Sequence, residues 1–330
     1  MNHANVVISD ILLTVVIINY RTASMVVKCL ESLLPELDNK ISRIALVDNA
    51  SGDNSSEIIE EWLSSNDTNS LVRFIQSPSN SGFSSGNNIG IKVFNSKLYL
   101  LLNSDTLIRK GAIKQLLKTA SEHDGAGIIT PRLEWRDGRP QESCFNFHSP
   151  ISEFISSAQT GFFTALFSKY SVPIPVSENI TIPEWSSFAC VLIRREVFAD
   201  IGFMDDGYFM YFEDAEFCSR AKKSGWKVIN EPLARVVHLR GGSSPVKENT
   251  RLHKRLPRYY YESRTRFFYQ TYGWIGLTTA NLFWTMGRVI SMARQILGRS
   301  DKAVNQRQWL DIWINWLKPL TLYIHPDNYK

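Results

Sequence analysis

Cysteine is scarce in this 330-residue chain, and Cys29, Cys144, Cys190 and Cys218 stand far apart with no paired spacing. Such scatter offers neither a zinc site nor a disulfide framework, and it predicts reduced thiols in a cytosolic compartment. The apolar run Ile11–Ile18 is too short to cross a bilayer and has no basic region before it, so it reads as a first buried strand and not as a signal peptide. Repeats and low-complexity tracts are missing as well. With 44% hydrophobic and 21% charged residues, a disordered chain is excluded. The glycines near position 82 lack the spacing of a P-loop or of a dinucleotide fingerprint. Charge of one sign is not abundant either, the net value being +5. It is unevenly placed: from Lys247 to Arg307 twelve Lys and Arg face only Glu248, Glu262 and Asp301. A near-neutral body with a basic tail points to an anionic surface for the tail.

What the chain does contain is a series of short apolar runs that end in polar clusters. Leu98-Tyr99-Leu100-Leu101-Leu102 stops at Asn103-Ser104-Asp105. A run of that kind reads as a strand buried on both faces, and ligands gather beyond the carboxyl ends of such strands. Thr14–Ile18 leads into Asn19-Tyr20-Arg21-Thr22, and Ile44–Val47 into Asp48-Asn49. Val72–Ile75 is followed by a Gly82/Gly86 loop that leads into a short helix, and Ile128-Ile129 makes a fifth strand. Intervening helices are marked by Val26, Leu30, Leu33 and Leu34, by Ile58, Ile59, Trp62 and Leu63, and by Ile113, Leu116 and Leu117. Thr22 or Ser24 is the N-cap expected for the first of them. Alternation at this spacing predicts an α/β fold with a parallel sheet covered on both faces. Residues 136–184 are rich in Pro, Ser and aromatics and predict long irregular loops. A strand over Phe188–Ile193 and a helix over Glu216–Ser224, closed by Gly225, are expected next.

The chemistry-bearing residues sit at those boundaries. Asp48, the Gly82/Gly86 loop and Asp105 could serve a nucleotide diphosphate, with one carboxylate for the base or ribose and one for a metal. Asn, Ser and Asp are equally the residues of an ordinary turn. Glu213-Asp214 follow Phe209-Met210-Tyr211-Phe212. Acids opening a helix are favoured by its dipole, but carboxylates pressed against aromatics also have the raised pKa of a general base. His238 closes a strand over Arg235–Val237, just before Gly241-Gly242.

Taken in order, seven motifs resemble the family 2 inverting glycosyltransferases, most of all the rhamnosyltransferase branch. They are Val16-Ile17-Ile18-Asn19-Tyr20, Val47-Asp48-Asn49-Ala50-Ser51, Asn80-Ser81-Gly82-Phe83, Gly86-Asn87-Asn88, Leu102-Asn103-Ser104-Asp105, Phe212-Glu213-Asp214 and His238-Leu239-Arg240-Gly241. The resemblance runs from about Thr14 to Ser244. It implies a GT-A fold, mostly parallel with helices on both faces, over residues 1–245. Within it, residues 12–135 would form the nucleotide half and 136–245 the acceptor side. Residues 246–330 would be a basic, aromatic-rich helical extension.

The resemblance further implies a dTDP- or UDP-sugar donor and a divalent metal, Mg or Mn. Asp48 would contact the base, and Asn19, Asn49, Gly82, Asn87, Asn103 and Ser104 would line the nucleotide pocket. Asp105 and His238 would hold the metal. Asp214 would be the catalytic base, with Glu213 and Trp185 on the acceptor side. Asn103 stands where many members have Asp, leaving one carboxylate for the metal. The expected reaction is transfer of a sugar, L-rhamnose from dTDP-rhamnose, to a glycan or lipid-linked acceptor. A UDP-hexose or UDP-HexNAc donor is the alternative.

A sugar nucleotidyltransferase needs a glycine-rich basic loop after the first strand, where this chain has Asn19-Tyr20-Arg21-Thr22. An inactive nucleotide-binding scaffold is disfavoured by the presence of Asp48, Asp105 and Asp214. In the tail, Leu282, Met286, Val289, Ile290, Ala293, Ile296 and Leu297 fall on one helical face, with Arg288, Ser291 and Gln295 off it. With Trp274, Trp284, Trp309, Trp313 and Trp316 nearby, this predicts a helix lying in a membrane interface and not nucleic-acid binding. The expected location is the cytoplasmic face of a bacterial inner membrane, and a homo-oligomer is compatible with these features.

Overall fold

The computed structural model describes residues 11–66, 68, 70–240, 245–298 and 304–329. Gly241, Gly242, Arg299 and Lys302, on which expectations above depend, lie outside them. The first half alternates as expected: β1 (Ile11–Asn19), α1 (Ala23–Leu33), β2 (Ser42–Asp48), α2 (Ser55–Ser65), β3 (Val72–Gln76), α3 (Gly82–Ile91), β4 (Ser96–Asn103), β5 (Thr106–Ile108), α4 (Ala112–Glu122) and β6 (Ala126–Glu134). There follow β7 (Cys144–Phe145), α5 (Pro150–Ala158), α6 (Gly161–Leu166), β8 (Trp185–Ser186), β9 (Cys190–Arg194) and α7 (Arg195–Ile201). The chain continues through α8 (Glu213–Lys223), β10 (Lys227–His238), α9 (Val246–Arg251), α10 (Arg258–Ile296) and α11 (Gln308–Asp311).

Eight strands form one sheet in the order β3-β2-β1-β4-β9-β6-β10-β5. β3, β2, β1 and β4 are parallel, whereas β9 runs antiparallel to both β4 and β6, and β5 antiparallel to β10. Leu13, Val15, Val16 and Ile17 of β1 are all buried, as a strand covered on both faces requires. In the parallel register Asn19 stands beside Asp48 and Ile18 beside Asn103, so three polar strand ends reach one edge together.

Several expectations need correction. The sheet is mostly parallel, as the resemblance implies, and not parallel throughout as the alternation alone predicts, because β9 inserts antiparallel between β4 and β6; strand direction leaves no trace in an apolar run. The Gly82–Asn88 stretch is no loop but the start of α3. Its glycines recur every four residues: Gly86 and Gly90 make a flat face on which the helix lies against β1, while Gly82 abuts the Phe209 backbone. A Cβ on Gly90 would stand 2.3 Å from Val16 Cγ1, and one on Gly86 3.1 Å from Ile18 Cδ1. Residues 136–184 contain α5 and α6, with α5 opened by a Ser149/Ser152 capping box. Helix α8 starts at Glu213, three residues earlier than its apolar pattern indicates, and the 188–193 strand begins only at Cys190. Ile58 faces outward at 38% exposure while Ile59 and Leu63 are buried.

Helix α10 bends at Gly273 (φ 66°) and packs along α5. Its buried seam is Asn281, Trp284, Gly287 and Ser291. At Gly287 a Cβ would lie 2.2 Å from Ser157 Oγ and 2.5 Å from the Phe154 carbonyl oxygen. The expected apolar stripe therefore points the other way, with Leu282, Met286 and Val289 at least half exposed. Among the described residues no helix is long and apolar enough to cross a membrane.

The α3 seam gives a direct test. Gly90→Val adds volume against Val16 and should cost about 1–3 kcal/mol, the usual price of overpacking. Gly125→Ala meets no atom within 4 Å and should stay within about 0.5 kcal/mol of the parent. Urea denaturation midpoints of the two variants check both values.

Candidate active site

A cleft of about 460 Å³ opens at the polar edge of the sheet, within the usual size of small-molecule sites. Its floor is built by the strand ends. Asn19 Nδ2 donates to Asp48 Oδ1 at 2.6 Å and to Ser51 Oγ at 3.0 Å, and Ser51 N donates to Asp48 Oδ2 at 3.1 Å. Thr22 is the N-cap residue of α1 but makes no side-chain cap. Its hydroxyl instead donates to Asn19 Oδ1 at 3.0 Å and lies 2.9 Å from Ser104 Oγ. Asn49 Nδ2 donates to Asn80 Oδ1 and to the Gly82 carbonyl, leaving the buried Asn49 Oδ1 unpartnered at the cleft.

Asp105 comes next. The antiparallel pairing of β5 with β10 sets His238 opposite Thr106, and this brings His238 Nε2 to 3.4 Å from Asp105 Oδ1. Burial would raise the Asp105 carboxyl, but the His238 ring and, more distantly, Lys247 outweigh it and hold the group below its usual range. Lys247 lies in the same wall; burial and the charge of Arg240 lower its pKa to about 8.

The acid pair lines the same cleft. Tyr211 and Phe212 both adopt positive φ, 75° and 67°, a conformation that costs a non-glycine residue about 1–3 kcal/mol. This strained turn delivers Glu213 and Asp214 into the first turn of α8, where the helix dipole favours negative charge. Burial nonetheless pushes the Asp214 carboxyl up to about 7, against the backbone amides of Ala215 and Phe188 that stabilise its charge. Glu213 is raised further by burial and by the Asp214 charge, and its Oε2 has no partner. Two carboxyls in such a place share protons, and one of them is poised to take a proton near neutral pH. A buried acid pair in one cleft with a strand-end carboxylate suits group transfer from a diphosphate to a hydroxyl.

Residues 14–215 match the family model described as Glycosyl transferase family 2. The chain belongs to glycosyl transferase family 2. Over 233 residues the family-2 chain is 30% identical to the low-salt glycan biosynthesis hexosyltransferase Agl10 of Haloferax volcanii, covering 68% of this chain and 66% of that relative. Over 224 residues it is 26% identical to the N-acetylglucosaminyl-diphospho-decaprenol L-rhamnosyltransferase of Mycobacterium tuberculosis, covering 64% and 67%. The matched part is thus about two thirds of either relative. Among solved structures, the mannosyltransferase PcManGT of Pyrobaculum calidifontis, in complex with GDP-Man and Mn²⁺, superposes with a TM-score of 0.57 at 11% identity over 93% of this chain and 85% of that one. TarS 1-349 of S. aureus gives 0.53 at 15% identity, over 94% and 81%. At these identities the likeness is one of fold, and the fold is the expected GT-A fold.

Not every residue singled out in the sequence lines the cleft of the family-2 chain. Asn49, Gly82, Asn103, Ser104, Asp105, Glu213, Asp214 and His238 do. Asn19 and Asp48 lie beneath it, 0% and 4% exposed, with both Asp48 oxygens engaged by Asn19 and Ser51. There they shape the turn that presents Asn49. Asn87 is buried and donates to the Phe83 carbonyl one turn back. Trp185 stacks on Phe145 at 4.3 Å and donates to the Asn146 carbonyl, placing it away from the cleft wall. The sequence reading missed Lys247, Tyr259, His325, Pro326, Asp327 and Tyr329, all of which line the cleft. No local signal marks them, since they arrive from the far end of the chain.

Asp48→Ala would leave Asn19 Nδ2 and Ser51 N short of an acceptor in the interior, at a cost of about 1–3 kcal/mol. The expected outcome is a lower denaturation midpoint without any ligand, and an unchanged midpoint would contradict the buried role.

Proposed function

We propose that this chain transfers a sugar, with inversion, from a nucleotide-diphosphate donor to an acceptor hydroxyl. The observation that carries the reading is that the buried Glu213–Asp214 pair lines the same cleft as Asn103-Ser104-Asp105. The acceptor hydroxyl attacks the anomeric carbon in line, the bond from that carbon to the diphosphate oxygen breaks, and the hydroxyl proton passes to Asp214. Lys247 and Arg240 place positive charge on the side where the diphosphate gains its negative charge. Asp214 leaves the sugar untouched, so no covalent intermediate forms.

Asp105 and His238 fit a hard cation that arrives with its diphosphate. They are two adjoining donors in the cleft wall, and His238 Nδ1 has no partner. Among the described residues no cluster of three His, Cys, Asp or Glu exists to hold a metal alone, and Mg²⁺ or Mn²⁺ commonly binds one or two carboxylates plus substrate phosphates. Such an ion, when bound, stabilises charge on the departing diphosphate.

For the donor, a dTDP-sugar, with L-rhamnose as the transferred group, is supported by the rhamnosyltransferase named among the relatives; a UDP-hexose or UDP-HexNAc is the alternative. The acceptor is a glycan or lipid-linked saccharide in cell-surface polysaccharide synthesis, acted on at the cytoplasmic face of the membrane.

A specific observation favours docking on that surface. From Asn281 onward, helix α10 buries Asn281, Trp284, Gly287 and Ser291 and leaves much of its apolar stripe exposed, with Ile296 86% and Val289 60% exposed. The segment after α11 packs beside it through Trp316, which donates to Thr278, and exposes Leu317 and Leu322. The tail's basic charge contributes less than its count indicates. Arg255, Arg258, Arg264 and Arg266 are paired with Asp311, Glu262, Glu153 and Asp205. Exposed apolar area thus contributes more to the docking than charge does.

Asp214→Asn keeps the shape and removes the base, so the rate should fall roughly 10²–10⁴-fold with donor affinity retained. Because Asp214 must be ionised to accept a proton and burial raises its pKa to about 7, kcat/KM of the parent should climb as pH rises through about 7. Loss of activity in Glu213→Gln with activity kept in Asp214→Asn would reverse the assignment. For the docking surface, the intact protein should sediment with liposomes, and the double variant Leu282→Asp, Val289→Asp should stay in the supernatant. No sedimentation of the parent at low salt rules the surface out.

A further inference from the structure

Residues 323–329 are remote in sequence from every motif of the cleft, yet they reach its nucleotide end. Tyr323 Oη donates to the Ser81 carbonyl at 3.1 Å, and His325 Nε2 lies 2.9 Å from the Asn80 carbonyl. Asp327 N donates to His325 Nδ1 at 3.2 Å. With Nδ1 accepting, Nε2 carries the proton, and the bond to Asn80 runs from ring to carbonyl. The segment is held on its other side too: Ile324 N donates to Glu262 Oε2 at 3.2 Å, and Tyr329 Oη accepts from Tyr259 N at 2.8 Å. Phe209 packs between, its ring 5.2 Å from Tyr323 and 5.7 Å, edge-on, from His325. The Phe209 carbonyl in turn accepts from Phe83 N at 2.7 Å.

Asn80 is thereby held from both directions. Its side chain accepts from Asn49 Nδ2 and Gly82 N, and its carbonyl faces His325. Asn80, Gly82, His325, Pro326 and Asp327 all line the cleft. We propose that the Tyr323–Tyr329 segment is part of the donor site, in which Tyr323 and His325 are positioning residues that hold the Asn80–Gly82 loop in place to receive a nucleoside-diphosphate sugar. Asp327, whose side chain is 70% exposed on that wall, offers a carboxylate to a hydroxyl of the same ligand. The inference rests on the donor reading above and adds to it the element that sets donor affinity.

The experiment compares the parent with His325→Ala, His325→Gln and Tyr323→Phe. Binding of UDP, dTDP and GDP is read by thermal shift, and turnover by steady-state kinetics with the nucleotide sugar whose nucleotide binds. Loss of one such hydrogen bond is worth about threefold to tenfold in affinity. Donor KM should therefore rise by that factor in Tyr323→Phe and at least as much in His325→Ala, with kcat changed less than about twofold. His325→Gln, which can still donate to the Asn80 carbonyl, should recover part of the loss. If His325→Ala fails to fold, Tyr323→Phe removes a single hydroxyl and decides alone. A parent that turns over donor, with variants of lower melting temperature but unaltered KM, would show a mere brace and overturn the inference while leaving the transferase reading intact. A parent that binds none of the three nucleotides overturns both.

Discussion

Gly82 and Phe209 meet backbone to backbone, and the two walls of the cleft depend on that contact. A Cβ on Gly82 would stand 2.1 Å from the Phe209 carbonyl oxygen, and the glycine's φ of 84° is one that other residues rarely adopt. One side of the contact is the start of α3, beside the ends of β1 and β2. The other is the aromatic turn that runs through Tyr211 and Phe212 to the acid pair. The placement of the strand-end carboxylate relative to the buried acid pair therefore follows from packing of main chain, which has no rotamers to lose. The strained φ values of Tyr211 and Phe212 are tolerated because this contact and the aromatic packing around them over-determine the turn.

The same cleft drives two carboxylates in opposite directions. Asp105 is buried but faces His238 and Lys247, so its charged form is favoured. Asp214 is buried among aromatic neighbours, and the amides at the helix start offset only part of its desolvation. One carboxylate thus remains charged across the physiological range, while the other changes protonation within it. Environments that separate two acids in this way support the roles proposed for them, charge stabilisation for the first and proton transfer for the second.

The stretch after residue 245 is bound to the body by apolar and polar contacts together: Phe267, Phe268, Leu277 and Ala280 join the core that holds Phe212 and Phe217. Arg264 reaches Glu153 on α5 and Asn281 within α10, and Arg266 pairs with Asp205. The buried Arg264 is matched by Glu153, as interior charge requires. Beyond the bend, the face of α10 that carries Asn281, Trp284, Gly287 and Ser291 is used for this docking, and Leu282, Met286 and Val289 are left facing outward. That last stretch runs opposite to the habit of a surface helix, which buries its apolar stripe.

Much of this protein is legible in its sequence. The runs ending at Asn19, Asp48 and Asp105 are strands ending where expected, because a strand buried on both faces needs a continuous apolar run and its end needs polar groups. The acid pair behind an aromatic run is likewise visible, since burial of a carboxylate is written in its immediate neighbours. The start of α3 was not legible: its glycines read as a loop leading into a helix until β1 is there to be packed against. Nor was the antiparallel β9, whose residues carry the same apolar pattern in either direction. Tertiary structure alone decided that Asp48 supports the cleft from below while Asn49 faces it, since adjacent residues at a strand end differ only in which way the backbone turns. It alone decided that His325 meets Asn80, 245 positions away. Periodicity and local chemistry report what a segment must bury, whereas the partner that buries it is set by the whole chain's packing.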